Sequence, residues 1–168
     1  MTGVSKLSSE PRVHNTTQMT SLSQRSVSHS LSSIACIAII GKLNNPLLVK
    51  CLDSSVPERD FHLLCYSACD VFDERSSKTD SYFGLLLCFE DYAAYGYQTN
   101  TKNKIIIIFN HSDAAIKDQE VKSAFKEIHE ALIGLSCNPF FIIDEKQGIK
   151  STKFESKIEQ VAAKWTKA

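Results

Sequence analysis

Between Tyr82 and Asn110 the chain reads YFGLLLCFEDYAAYGYQTNTKNKIIIIFN, three apolar runs of strand length parted by two short polar breaks. Tyr82–Phe89 leads through Glu90 and Asp91 to Tyr95–Thr99, and the break at 100–103 leads into Ile105–Phe109. Runs rich in aromatic and β-branched residues, bounded by polar turns, read as strands. A parallel crossover needs about a dozen residues or more, so connections this short force each strand antiparallel to the last. The middle of the chain is therefore a three-stranded meander. Ile105–Phe109 has no polar alternation, so both its faces face apolar neighbours and it belongs at the centre of a sheet with helices on both sides.

The chain of 168 residues is the size of one domain and long enough to bury a core. Its 19 basic and 19 acidic residues cancel to a formal net charge of zero. That balance argues against nucleic-acid binding, which draws on clustered Lys and Arg. No stretch reaches the ~18 uninterrupted apolar residues of a membrane-spanning helix. Ile34–Ile40 is too short for one, and lies too deep in the chain for a signal peptide. Six cysteines (Cys36, Cys51, Cys65, Cys69, Cys88, Cys137) lie among apolar neighbours without a CxxC pair, a pattern expected of free buried thiols in a reducing, cytosolic compartment.

Residues 1–32 differ from the rest. They are dominated by Ser and Thr and carry no aromatic residue, with Lys6, Arg12 and Arg25 against Glu10 alone. Such a segment cannot offset its ordering entropy by apolar burial and is expected to be a disordered tail. A transit peptide is the weaker reading, for want of arginines and of an amphipathic helix.

From Ser33 to residue 168 the pattern is that of a single folded domain. Ile34–Gly41 and Leu47–Leu52 form a hairpin through Lys42-Leu43-Asn44-Asn45-Pro46. Ser55, Pro57 and Glu58 then predict a capping box. The helix that follows lays Phe61, Leu64, Cys65, Ala68, Val71 and Phe72 on one stripe. After the meander, Val121, Ala124, Phe125, Ile128, Leu132 and Leu135 mark a second helix, stopped by Cys137-Asn138-Pro139-Phe140. A third runs from about Ser151 to Lys167, capped by Ser151 or by Thr152 with Glu155, with Phe154, Ile158, Val161 and Trp165 inward. The expected order is β-β-α-β-β-β-α-α.

No phosphate-binding Gly-rich loop, GxSxG elbow or HExxH appears, and no cofactor is expected. The sharpest candidate for chemistry is His62, Cys65 and Cys69, at i, i+3 and i+7 on the first helix beside Asp70: zinc-compatible spacing, or a thiol near a base. Packing is the stronger reading. Cys65 and Cys69 share the stripe that faces the sheet, where Cys acts as a small hydrophobe, and no other spaced Cys or His pair completes a metal site. His111 and Asp113 after the last strand could be a base with its orienting acid, but Ser112 and Asp113 read better as a turn. His129 is expected on a partly exposed helix face. The reading is of a protein that is not an enzyme; the thiol-dependent alternative would use Cys65 or Cys69.

Asp70, Asp73 and Glu74 gather at the C-terminal end of the first helix, where the helix dipole disfavours negative charge. Carboxylates there invite a basic partner, against the plainer reading of a solvated helix end. Among Tyr82, Tyr92, Tyr95 and Tyr97, any ring left exposed would make a contact anchor.

Several segments resemble the sedlin family of transport protein particle (TRAPP) subunits. They are Ser67-Ala68-Cys69-Asp70-Val71-Phe72-Asp73-Glu74, Tyr82-Phe83-Gly84-Leu85-Leu86, Glu90-Asp91-Tyr92, Tyr95-Gly96-Tyr97, Thr99-Asn100, Cys137-Asn138-Pro139-Phe140, and Ser151 with Phe154 and Glu155. The likeness is collinear from about Ile34 onward. Residues 1–32 are extra, Arg75–Asp80 looks short, and Phe141-Ile142-Ile143-Asp144 is more apolar than the family pattern. The resemblance implies a longin-type (profilin-like) α/β/α sandwich: a five-stranded antiparallel sheet with one helix on one face and two on the other. It implies a non-catalytic subunit of a vesicle-tethering complex that acts as guanine-nucleotide exchange factor for a Rab GTPase in endoplasmic-reticulum-to-Golgi and intra-Golgi traffic. The partners implied are other TRAPP subunits and, indirectly, the Rab. Nucleic acid and an integral membrane segment are not among them. The place implied is the cytoplasm and perinuclear region, peripheral to endoplasmic-reticulum and Golgi membranes. Interface residues by the same likeness are Asp70, Asp73, Glu74, Tyr95, Tyr97, Asn138 and Phe140. The alternative within the fold is a small clathrin-adaptor subunit; a longin SNARE would need further heptads.

Overall fold

The computed structural model describes residues 33–75, 80–110, 116–141 and 146–166. The proposed tail at 1–32 lies outside the described residues, as do His111, Ser112 and Asp113, and most of the two loops in which the chain departs from the family pattern.

The elements follow the expected order: β1 (Ile34–Ile40), β2 (Pro46–Cys51), α1 (Glu58–Arg75), β3 (Tyr82–Phe89), β4 (Tyr92–Gln98), β5 (Lys104–Asn110), α2 (Asp118–Ser136) and α3 (Thr152–Thr166). The strands form one sheet in the order β2-β1-β5-β4-β3, every neighbouring pair antiparallel. The unbroken isoleucines of β5 thus lie in the middle strand. Ile105, Ile107 and Phe109 point to one core with Ile37, Ile39, Phe125, Ile128 and Ile158. Ile106 and Ile108 point to the other with Cys36, Ala38, Phe61 and Phe72. Burial on both faces is the physical reason this strand shows no alternation. α1 covers one face and α2 with α3 the other, a longin-type α+β sandwich. No described helix is long and apolar enough to cross a membrane.

Two local expectations are corrected and a third, which left two candidates for a cap, is decided. Ser55 does not cap α1: its backbone N–H and hydroxyl both donate to Asp53 Oδ1, at 2.8 and 2.6 Å, and the helix starts after Pro57. β4 begins at Tyr92 rather than Tyr95, directly after a two-residue turn in which Glu90 adopts φ 49°. Ala93 and Ala94 are weak strand formers on their own, but they pair with Phe109 and Ile108 of β5, and tertiary pairing overrides propensity. At α3, Ser151 is the cap, its Oγ accepting from the Phe154 N–H at 3.3 Å, and Thr152 is already helical.

Candidate docking surface

α1 carries two opposed stripes. Phe61, Leu64, Cys65, Ala68, Cys69 and Phe72 are buried against the sheet, with Val71 half-buried beside them. On the outer side, Leu63 is 67% exposed and Tyr66 50%, and Asp70 is exposed as well. Residues at i, i+3 and i+7 share one helix face. The outer stripe of α1 is therefore apolar along its middle and acidic toward its end. Sequence reading identified Asp70 but missed Leu63 and Tyr66. Their signal was present: two large apolar side chains off the buried stripe, in register with Asp70.

The three acidic residues at the helix end do different work. Asp73 Oδ1 accepts from Lys104 Nζ at 2.8 Å, and its Oδ2 accepts from Asn44 Nδ2 at 3.2 Å. Lys104 is buried, also donates to Asn44 Oδ1 at 2.6 Å, and lies 5.6 Å from the Phe72 ring centroid. A buried ammonium requires both a counter-charge and acceptors; Asp73 and Asn44 supply them. Donation from Lys104, with help from Asn44, holds the Asp73 carboxyl below the usual carboxylate range. This cluster ties the end of α1 to the β1–β2 turn, where Asn44 takes φ 60°, and to the first residue of β5. Asp73 is thus engaged within the fold, while Asp70 and Glu74 face solvent. Arg75 Nη1 donates to Leu85 O on the edge strand β3 at 3.0 Å, holding the helix end down.

Tyr95 and Tyr97 are engaged in packing. Tyr97 stacks on Phe125 at 5.7 Å and its hydroxyl lies 3.1 Å from His129 Nδ1. Tyr95 meets Phe109 edge-on at 5.4 Å. Both are half-buried on the α2–α3 face, so most of their ring surface is used in packing.

Asn138 and Phe140 form a separate projection. The Asn138 side chain accepts from the Phe140 N–H at 3.1 Å and its carbonyl from the Phe141 N–H at 3.0 Å, an ordered turn beyond α2. Phe140 is 96% exposed at its tip. The last turns of α2 lie beside the β4–β5 turn, with Thr99 and Asn103 lining a shallow hollow together with Ile133 and Cys137. Lys104, which begins β5, is also the residue that holds Asp73. The acidic end of α1 and the Phe140 turn therefore occupy the same end of the sandwich, on opposite sides of the sheet.

Among the described residues, no acid, base or metal-ligand set assembles around His62, Cys65 or Cys69. His62 Nε2 lies 3.6 Å from Glu58 Oε1, one turn back on its own helix. Cys65 and Cys69 point into the core, away from Asp70. Burial pushes the Cys69 thiol up to about 11, the opposite of activation. Among the described residues no group of three or more His, Cys, Asp or Glu side chains could hold a metal ion. The expectation that all six thiols are buried is corrected: Cys88 and Cys137 are exposed, Cys88 on the edge strand and Cys137 at the end of α2.

A family model described as Sedlin matches residues 39–164 of this chain. The trafficking protein particle complex subunit 2-like protein of Mus musculus is 34% identical over 131 residues, covering 73% of this chain and 92% of that protein. The protein of the same name from Dictyostelium discoideum is 38% identical over 133 residues, covering 74% and 92%. That of Bos taurus is 35% identical over 114 residues, covering 63% and 81%.

Proposed function

The chain belongs to the sedlin family, and on that premise we propose that it is a non-catalytic subunit of a TRAPP vesicle-tethering complex. Its part is to join neighbouring subunits through surface complementarity. The observation that carries this reading is the outer stripe of α1, where Leu63, Tyr66 and Asp70 lie exposed together on a rigid helix. Aromatic and aliphatic anchors beside a charge make the kind of patch in which a few residues carry most of the binding energy. The Phe140 turn provides a second contact on the opposite layer.

In this reading the complex, not this chain, promotes nucleotide exchange on a Rab GTPase, and it acts in endoplasmic-reticulum-to-Golgi and intra-Golgi transport. The subunit reaches Golgi membranes peripherally, from the cytoplasm, through its neighbours. The names of the relatives support a TRAPP subunit, and the uncovered α1 stripe supports a docking role.

The test is affinity isolation of the full chain from cells, followed by identification of what co-purifies. Other TRAPP subunits are expected in the wild-type sample. Asp70→Arg should lower their recovery by about tenfold, a loss of roughly 1.4 kcal/mol, while circular dichroism and melting stay unchanged. A lone, monodisperse protein with turnover activity would overturn the proposal.

A further inference from the structure

Three thiols meet beneath α1. Cys36 on β1 lies opposite Cys51 on β2, their sulfurs 3.9 Å apart, and Cys65 of α1 is buried in the same core beside Cys36. The Leu52 N–H donates to Ala35 O at 2.8 Å, which makes Ala35 and Leu52 a hydrogen-bonded pair. The next pair, Cys36 with Cys51, is then a non-hydrogen-bonded one, with Cα atoms about 4.5 Å apart. That separation falls within the span a disulfide bridges. Cys36 is fully buried, whereas Cys51, on the outer strand, is partly open to solvent.

We propose that Cys36 and Cys51 form a reversible oxidation site that closes to a cross-strand disulfide by exchange with a small disulfide of the glutathione class. Cys51, the reachable member, loses its proton and attacks the small disulfide. Its sulfur forms a mixed disulfide and one small thiol leaves. Cys36 then loses its proton and attacks the Cys51 sulfur, forming the intramolecular bond and expelling the second thiol. The protein gives up two electrons and two protons, and one small disulfide becomes two thiols. The neighbouring Cys65 thiol and burial raise the Cys36 pKa, and burial raises that of Cys51. Both thiols are therefore held protonated at neutral pH, so exchange is slow there and closure quickens as pH rises. The site depends only on strand pairing and stands apart from the docking role.

The experiment uses the full chain carrying Cys88→Ser and Cys137→Ser, which remove the two exposed thiols. It is incubated with excess oxidised glutathione at pH 8, quenched in acid, and read by intact mass and peptide mapping. The expected product is lighter by two hydrogens, with the peptides containing Cys36 and Cys51 joined, and dithiothreitol restores the starting mass. Adding Cys51→Ser should abolish the mass loss, whereas adding Cys65→Ala should leave the crosslink in place. Circular dichroism verifies that each variant is folded. A product that stops at the glutathione adduct, a Cys36–Cys65 crosslink, or an unchanged mass would each overturn the assignment.

Discussion

Lys104 Nζ and Asp73 Oδ1 lie 2.8 Å apart, yet the lysine side chain is 4% exposed and the aspartate 58%. One partner is buried and the other wet, so their removal has unequal effects. Asp73→Ala leaves an ammonium under the end of α1 with Asn44 as its remaining named acceptor, and should destabilise by about 2 kcal/mol. Lys104→Met keeps an unbranched apolar stem near Phe72 and leaves Asp73 to water, and should cost less than about 1 kcal/mol. Urea denaturation of the two variants should show this order; the reverse order would mean that the pair does not anchor the helix end.

The same contact predicts acid sensitivity. Asp73 is held low first by Lys104, Asp53 by Ser55, and Asp118 by Tyr82 with Lys122. A carboxyl whose folded pKa lies below its unfolded value binds fewer protons when folded, so it stabilises the protein above the unfolded value, about 3.9. That contribution is lost as pH falls from there through the folded pKa. Urea midpoints measured from pH 6 to pH 3 should be flat at first and then drop below about pH 4. In Lys104→Met the drop should be shallower.

Two glycines should respond in opposite senses. A Cβ on Gly96 would lie 2.5 Å from Leu86 Cδ1 and 2.6 Å from Phe72 Cζ, where β4 passes beneath α1. Gly96→Ala should destabilise by roughly 1–3 kcal/mol through overpacking. A Cβ on Gly134, within α2, meets nothing within 4 Å. Gly134→Ala should stabilise by about 0.5–1 kcal/mol through helix propensity. Paired thermal melts decide both.

Alkylation of the folded protein at neutral pH should label Cys88 and Cys137 first, because they are the exposed thiols. Cys69 should react only on unfolding, since it is buried and its thiol is held protonated up to about 11. Rapid labelling of Cys69 would revive the thiol-enzyme reading.

The docking surface is tested residue by residue. Tyr66→Ser and Leu63→Ser lie on the outer stripe and should shift stability by no more than about 0.5 kcal/mol, while reducing the recovery of co-purifying subunits. Phe140→Ser should reduce a different subset of partners, because its turn lies on the other side of the sheet. Loss of the same subset by both would mean that one partner wraps the end of the sandwich.

The central strand, the element order and the inner stripes of all three helices were legible in the residues before any coordinates. Each depends on a local period: 3.6 for a helix packed on one side, and none for a strand buried on both faces. Chemistry at a distance was not legible in this way. Asp70 and Asp73 stand three residues apart in the same acidic run, yet Asp70 faces solvent and Asp73 binds a lysine 31 positions away. Cys36 and Cys51 face one another because β1 and β2 pair in that register, not because of anything in their own neighbourhoods. Burial is written into the chain as a repeat, since each side chain meets the core through its own element. Pairing of charges and thiols was decided only when separate elements came alongside one another.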